Sequence, residues 1–162
     1  MNYKLVILDL DGTVWDYAKT SSDLPEPIRV EGNTVTAGDG TTLRLRDGLR
    51  DFLAGCAEKK VFVSLASWNN PALPTKILKA LGLIDYFVHP KVEPHPYKEV
   101  MIKGILDEFK KDGIGVSPEE TVFVDDREVM IERVKQYFPS ITALLFGVDV
   151  KSYAELNRVI CG

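Results

Sequence analysis

Apolar residues recur along the chain in short unbroken runs, separated by longer stretches in which they fall three and four positions apart. The runs are Leu5-Val6-Ile7-Leu8, Val61-Phe62-Val63-Ser64-Leu65-Ala66, Tyr86-Phe87-Val88, Thr121-Val122-Phe123-Val124 and Ile141-Thr142-Ala143-Leu144-Leu145-Phe146. Each is too short for a helix and rich in the residue types that suit strands buried on both faces. Helical spacing covers 47–59, 72–81, 96–111, 127–137 and 151–159. Leu49, Phe52 and Leu53 form one stripe, and Ile102, Ile105, Leu106 and Phe109 another. Gly82, Gly113 and Pro139 mark helix ends. Strand and helix in alternation predict an α/β fold: a five-stranded parallel sheet with right-handed crossovers, flanked by helices.

Residues 15–46 interrupt that rhythm. Ile28-Arg29-Val30 and Thr34-Val35-Thr36 flank a turn at Glu31-Gly32-Asn33, and Asp39-Gly40 is a hairpin signal before Thr41-Thr42-Leu43-Arg44-Leu45. The segment reads as a small β-hairpin insert, decorative or recruited to substrate recognition, within a single domain over 1–162. It is too short to be a large cap domain.

Composition removes several classes of partner. A net charge of −4 leaves no electrostatic footprint for nucleic acid or an anionic membrane. No apolar run approaches the ~18 residues of a membrane span, and no basic-then-apolar leader precedes the first strand. Cys56 and Cys161 lie far apart with no metal-like spacing. The expectation is a cytoplasmic protein with both thiols reduced.

The chemistry gathers where apolar runs end, the place where open α/β sheets bind ligands. Asp9-Leu10-Asp11-Gly12-Thr13 follows the first run directly. A turn explains Gly12, but not two acids closing a buried strand, which crowd unless a metal lies between them or the chain turns away. Ser67 follows the second run, where a hydroxyl caps a helix or donates to a bound anion. Trp68 comes next and either meets a substrate ring, shields a phosphate or packs on the insert. Asp125-Asp126 closes the fourth run. Adjacent acids there repel without a cation, and all-oxygen donors select Mg²⁺ over Zn²⁺. Neighbouring strand residues face opposite ways, so one acid is expected on the metal and the other on an orienting contact. Lys98 opens the third helix, where a cation opposes the macrodipole and calls for a compensating anion.

Asp-Leu-Asp-Gly-Thr after a hydrophobic strand resembles the first motif of the haloacid dehalogenase (HAD) superfamily, most of whose members are Mg-dependent phosphotransferases with a Rossmann-like fold. The Ser67, Lys98 and Asp125-Asp126 positions resemble its second, third and fourth motifs, in order. The resemblance implies Asp9 as nucleophile through an aspartyl-phosphate and Asp11 as general acid/base. It further implies Leu10, Ser67, Trp68 and Lys98 around the substrate, and Asp9, Asp11, Asp125 and Asp126 around Mg²⁺. Lys91 is the fallback for the third-motif lysine, and His95 is left as a loop residue. Trp15, the hairpin insert and the missing large cap look like the magnesium-dependent phosphatase-1 family, whose members act on aryl, sugar or phosphotyrosine monoesters. A basic residue often follows the second-motif Ser there, and Trp68 stands in its place. The expected partner is a phosphorylated small molecule or phosphorylated protein side chain, met at an open rim formed by Trp15, the Asp39-Gly40 hairpin and Trp68. Two other readings share the acid cluster: a phospho-accepting signalling domain and a catalytically weak HAD-fold interaction protein.

Overall fold

A computed structural model describes residues 2–161. The central strand β1 (Leu5–Leu8) is buried along its whole length. It is flanked in parallel by β5 (Phe62–Trp68) and β7 (Thr121–Asp125), and β6 (Lys91–Glu93) and β8 (Thr142–Leu145) complete a five-stranded sheet in the order β6-β5-β1-β7-β8. The crossover helices are α1 (Leu49–Glu58), α2 (Ala72–Ala80), α3 (Lys98–Lys111) and α4 (Glu128–Tyr137), and α5 (Tyr153–Cys161) follows the last strand. Between β1 and α1 lie β2 (Arg29–Glu31), β3 (Thr34–Thr36) and β4 (Thr42–Arg44), an antiparallel three-stranded sheet.

Alternation along the strands sorts the core into two halves, because successive side chains leave a strand on opposite faces. Val6 and Leu8 pack with Leu53, Ile77 and Leu156 of α1, α2 and α5. Leu5 and Ile7 pack with Ile102, Ile105 and Phe109 of α3 and Val134 of α4. Val35 and Leu43 of the small sheet join the first of these clusters, so the insert is seated on the domain. Both cysteines are free, Cys56 buried and Cys161 exposed. Among the described residues no helix is long and apolar enough to cross a membrane.

One expected strand is misplaced. Tyr86-Phe87-Val88 does not form a sheet strand: Ile84–Tyr86 is a 3₁₀ turn, and Phe87 makes a single bridge to Val63. The fifth strand is β6, whose residues pair with Ala66, Ser67 and Trp68. Its three residues are all half-buried, as suits a sheet edge, and no apolar run marks them. Because β6 supplies that pairing, β5 also runs two residues past the expected end and carries Ser67 and Trp68 within the strand.

The last helix is tied to the loop after β1. Tyr153 is buried and donates its hydroxyl to the Thr13 carbonyl at 2.8 Å, while its ring packs against Phe52 and Phe146. Tyr153→Phe keeps the rings and leaves the carbonyl unpaired. A loss of about 1–3 kcal/mol is expected, measurable by urea unfolding.

Candidate active site

The parallel order brings the carboxyl ends of β5, β1 and β7 side by side, and with them Ser67, Asp9 and Asp125. Asp9 continues the ladder of β1, its amide donating to the Val124 carbonyl at 3.0 Å. Gly12 then turns the chain with φ 77°, and a Cβ there would stand 2.1 Å from Asp126 Oδ2. Glycine is therefore required twice, for its backbone conformation and for the approach of the Asp126 carboxylate.

Asp9, Asp125 and Asp126 each offer an oxygen within 4.8 Å of the others. Lys98, 2% exposed at the first turn of α3, is the cation among them. Its Nζ donates to Asp9 Oδ1 at 2.8 Å and to the Ala66 carbonyl, and lies 3.3 Å from Asp125 Oδ2. The anion that a lysine at a helix N-terminus calls for is thus supplied by the protein itself. Burial alone would lower the Lys98 pKa, but the charges of Asp9 and Asp125 outweigh it and hold the ammonium above its ordinary value. Burial raises Asp9 from 3.8 to about 7, with Lys98 opposing and Asp125 adding to the rise. Asp126 is raised to about 6, by burial first and the Asp9 charge second. Asp125 is raised by burial against the pull of Lys98. Asp125 Oδ2 and Asp126 Oδ1 are buried without a hydrogen-bond partner among the described residues. Three crowded carboxylates against one lysine, with Asp126 Oδ1 buried and unpartnered among the described residues, fit a hard divalent cation.

The Asp11 carboxylate is engaged elsewhere. Trp15 Nε1 donates to its Oδ1 at 2.8 Å, and the Ser21 amide and Asn69 Nδ2 donate to its Oδ2 at 3.1 and 2.9 Å. It is not among the three gathered acids, though it lines the same cleft. Asn69 bridges further, donating to Ser67 Oγ at 2.8 Å and accepting from the Ser22 amide at 3.1 Å. Leu10 packs its side chain into the core, so only its main chain can meet a substrate. Lys91, the alternative lysine, pairs with Glu108, and His95 pairs with Glu93 and stacks on Tyr97.

The cleft above these groups has a volume of about 410 Å³. Its mouth differs from the expected rim. Trp15 is fully buried, because its indole N–H is spent on Asp11, and the Asp39-Gly40 hairpin does not line the cleft. The rim is instead Ala18, Lys19, Thr20, Ser22 and Asp23 together with Trp68, Asn70, Pro94 and Arg127. Trp68 is 45% exposed, and the Arg127 guanidinium lies 6.0 Å from its ring centroid. Asn69 and Arg127 stand immediately after residues singled out from the sequence. Adjacency to Ser67-Trp68 and to Asp125-Asp126 was the available signal, but neither residue type announces a role without the fold.

Residues 2–142 match the family model described as Acid Phosphatase. No curated protein matches the chain. Among solved structures, the N-terminal part of a Bacteroides fragilis protein containing a phosphatase domain, complexed with Mg, superposes with a TM-score of 0.66 at 17% identity, covering 98% of this chain and 40% of that one. A HAD-superfamily hydrolase from Ehrlichia chaffeensis gives 0.62 at 15%, covering 99% and 98%. The cobalt-bound deoxy-D-mannose-octulosonate 8-phosphate phosphatase from Haemophilus influenzae gives 0.56 at 15%, covering 98% and 87%. At these identities the likeness is one of fold.

The raised carboxyls set a pH dependence for the metal-free protein. Asp9 and Asp126 keep protons when folded that the unfolded chain releases above 3.8. The folded state therefore binds more protons up to about pH 7, and the associated stability, full below pH 4, is lost as pH rises through 6 and 7. Thermal unfolding in chelator should show Tm falling across that window. Asp9→Asn should flatten the fall.

Proposed function

We propose that this chain, which belongs to the acid phosphatase family and shares the HAD-superfamily hydrolase fold, hydrolyses phosphate monoesters through an aspartyl-phosphate on Asp9, with Mg²⁺ as cofactor. The observation that carries the reading is the buried Lys98 held between Asp9 and Asp125 at the mouths of adjacent parallel strands, with Asp126 drawn in against Gly12.

A carboxylate approaching a phosphate dianion meets repulsion of about 4 kcal/mol per pair of unit charges at ~4 Å and an effective dielectric of ~20. Lys98 offsets part of it and fixes one Asp9 oxygen, leaving the other for in-line attack. Asp9, Asp125 and Asp126 would hold the Mg²⁺, which when bound neutralises phosphoryl charge. Asp9 forms the new oxygen–phosphorus bond as the ester bond breaks. Protonated Asp11 gives its proton to the departing oxygen, then as carboxylate takes one from the water that frees Asp9. The donors Trp15, Ser21 and Asn69 hold the Asp11 carboxylate in one orientation for both transfers. Ser67, joined to Asp11 through Asn69, donates its hydroxyl to a phosphoryl oxygen in this reading, which its position at the end of β5 supports.

A cleft of about 410 Å³ suits a small phosphorylated molecule or a single phosphorylated side chain. A sugar phosphate or an aryl phosphate, phosphotyrosine included, fits these dimensions. The fixed acid/base favours turnover over a stable phospho-signalling state, since nothing in signalling needs Asp11 so tightly held.

The test is hydrolysis of p-nitrophenyl phosphate, expected with Mg²⁺, lost in EDTA and restored by adding the metal. Asp9→Asn should abolish turnover and beryllofluoride binding while the protein stays folded. Full activity in EDTA or in Asp9→Asn would overturn the mechanism. Asp11→Asn should slow alkyl phosphates by roughly 10²–10⁴-fold, the range for a positioned acid/base. The loss should be smaller for p-nitrophenyl phosphate, whose leaving group needs little protonation, so a plot of rate against leaving-group pKa should steepen.

A further inference from the structure

The mouth of the cleft holds a pair that phosphoryl transfer itself does not use. Trp68 ends β5 with 45% of its surface exposed, and Arg127, the residue before α4, lays its guanidinium over the indole. Arg127 follows two acids directly, yet its side chain turns outward over Trp68. Its backbone amide donates to Asp125 Oδ1, while the guanidinium has no protein acceptor among the described residues. Arg46, Arg50 and Arg133, by contrast, spend theirs on Gly12, on Asn33 and Leu81, and on Glu99. The other charges at the rim are Lys19 and Asp23, of opposite sign, so the rim carries a net positive charge above the acids Asp9, Asp11 and Asp125 of the inner cleft.

A guanidinium held over an aromatic face by a cation–π contact keeps its N–H groups free for an acceptor and has part of its freedom already restricted, so it is organised for a planar or tetrahedral oxyanion. The inner end of the cleft already receives the phosphoryl group. From this placement we infer that Trp68 and Arg127 form a second subsite, which binds an anionic oxygen group, carboxylate or phosphate, at the far end of the substrate's leaving group. The carbon skeleton between the two anions then lies along the indole. This inference rests on the phosphatase reading and narrows its substrate class to phosphomonoesters with a second anion.

Three aryl phosphates of similar leaving-group pKa isolate the subsite, because a methylene insulates the ring from the distal group: 4-ethylphenyl, 4-(carboxymethyl)phenyl and 4-(phosphonomethyl)phenyl phosphate. In the wild type with Mg²⁺ at low salt, kcat/KM should favour at least one anionic substrate over the neutral one by about tenfold, equivalent to about 1.4 kcal/mol. The gain should lie in KM, since a distal contact is made equally in ground and transition states. Which anionic substrate gains more identifies the second group. Arg127→Ala should bring the anionic-to-neutral ratio close to one, Arg127→Glu should invert it, and Arg127→Lys should keep part of it. Added salt should erode the wild-type ratio and leave that of Arg127→Ala unmoved. A wild type that hydrolyses all three alike, or a ratio unchanged in Arg127→Ala, overturns the subsite and leaves the phosphatase reading standing. Failure to hydrolyse any of the three overturns both.

Discussion

Three carboxylates and one ammonium share a largely buried pocket at the carboxyl edge of the sheet, and much of the architecture serves that crowding. Taking charges out of water is costly, and one lysine cannot offset three acids. The pocket persists because its members are mounted on the stiffest parts of the molecule. Asp9 and Asp125 end fully buried parallel strands, and Lys98 opens a helix whose Met101, Ile102, Ile105 and Phe109 are locked into the core. The hydrophobic core thus holds together charges that would separate in a flexible chain. The excess negative charge that remains is what suits the pocket to a cation.

The second carboxylate of the motif is organised on the other side of the same loop. Asp9 and Asp11 are two residues apart, but Gly12 turns the chain so that one carboxylate meets Lys98 and the other meets Trp15, Ser21 and Asn69. Two acids in one tripeptide therefore occupy different environments, one shaped by burial and charge, the other by three hydrogen-bond donors. The insert enters through this second environment. Ser21 and Ser22 lend backbone amides to Asp11 and Asn69, while Val35 and Leu43 anchor the small sheet on the core. It acts as a strut for Asp11 and Asn69 and supplies a wall of the cleft, while its β-strands lie outside the cleft lining.

The Trp68–Arg127 pair shows how a surface can be read once the inner site is understood. In the proposed reaction the inner groups meet only the phosphate and are blind to what the phosphate is attached to. Discrimination must then come from the mouth, and the mouth is built from β5, the β7–α4 turn and the segment after Trp15, which meet only in the folded chain.

Much of this was legible in the chain itself. Apolar runs ending before Asp9, Ser67, Asp125 and Gly147 revealed four of the five strands of the main sheet, because burial on both faces demands continuous hydrophobicity, and the first three mark the edge where the acids and Ser67 gather. Helical spacing placed all five helices, and Lys98 was identifiable as the residue opening one of them. The edge strand Lys91–Glu93 left no such mark, since a half-buried strand needs no apolar run, and Tyr86-Phe87-Val88 imitated one. Trp15 looked like a rim residue in sequence. Only the tertiary structure buried it, because the donor that Asp11 requires lies four residues away across a turn that Gly12 makes possible. Asn69 and Arg127 gained their places in the same way. Local periodicity follows from the sequence of one segment, whereas hydrogen-bond partners and cleft walls join residues tens of positions apart, and packing alone decides those meetings.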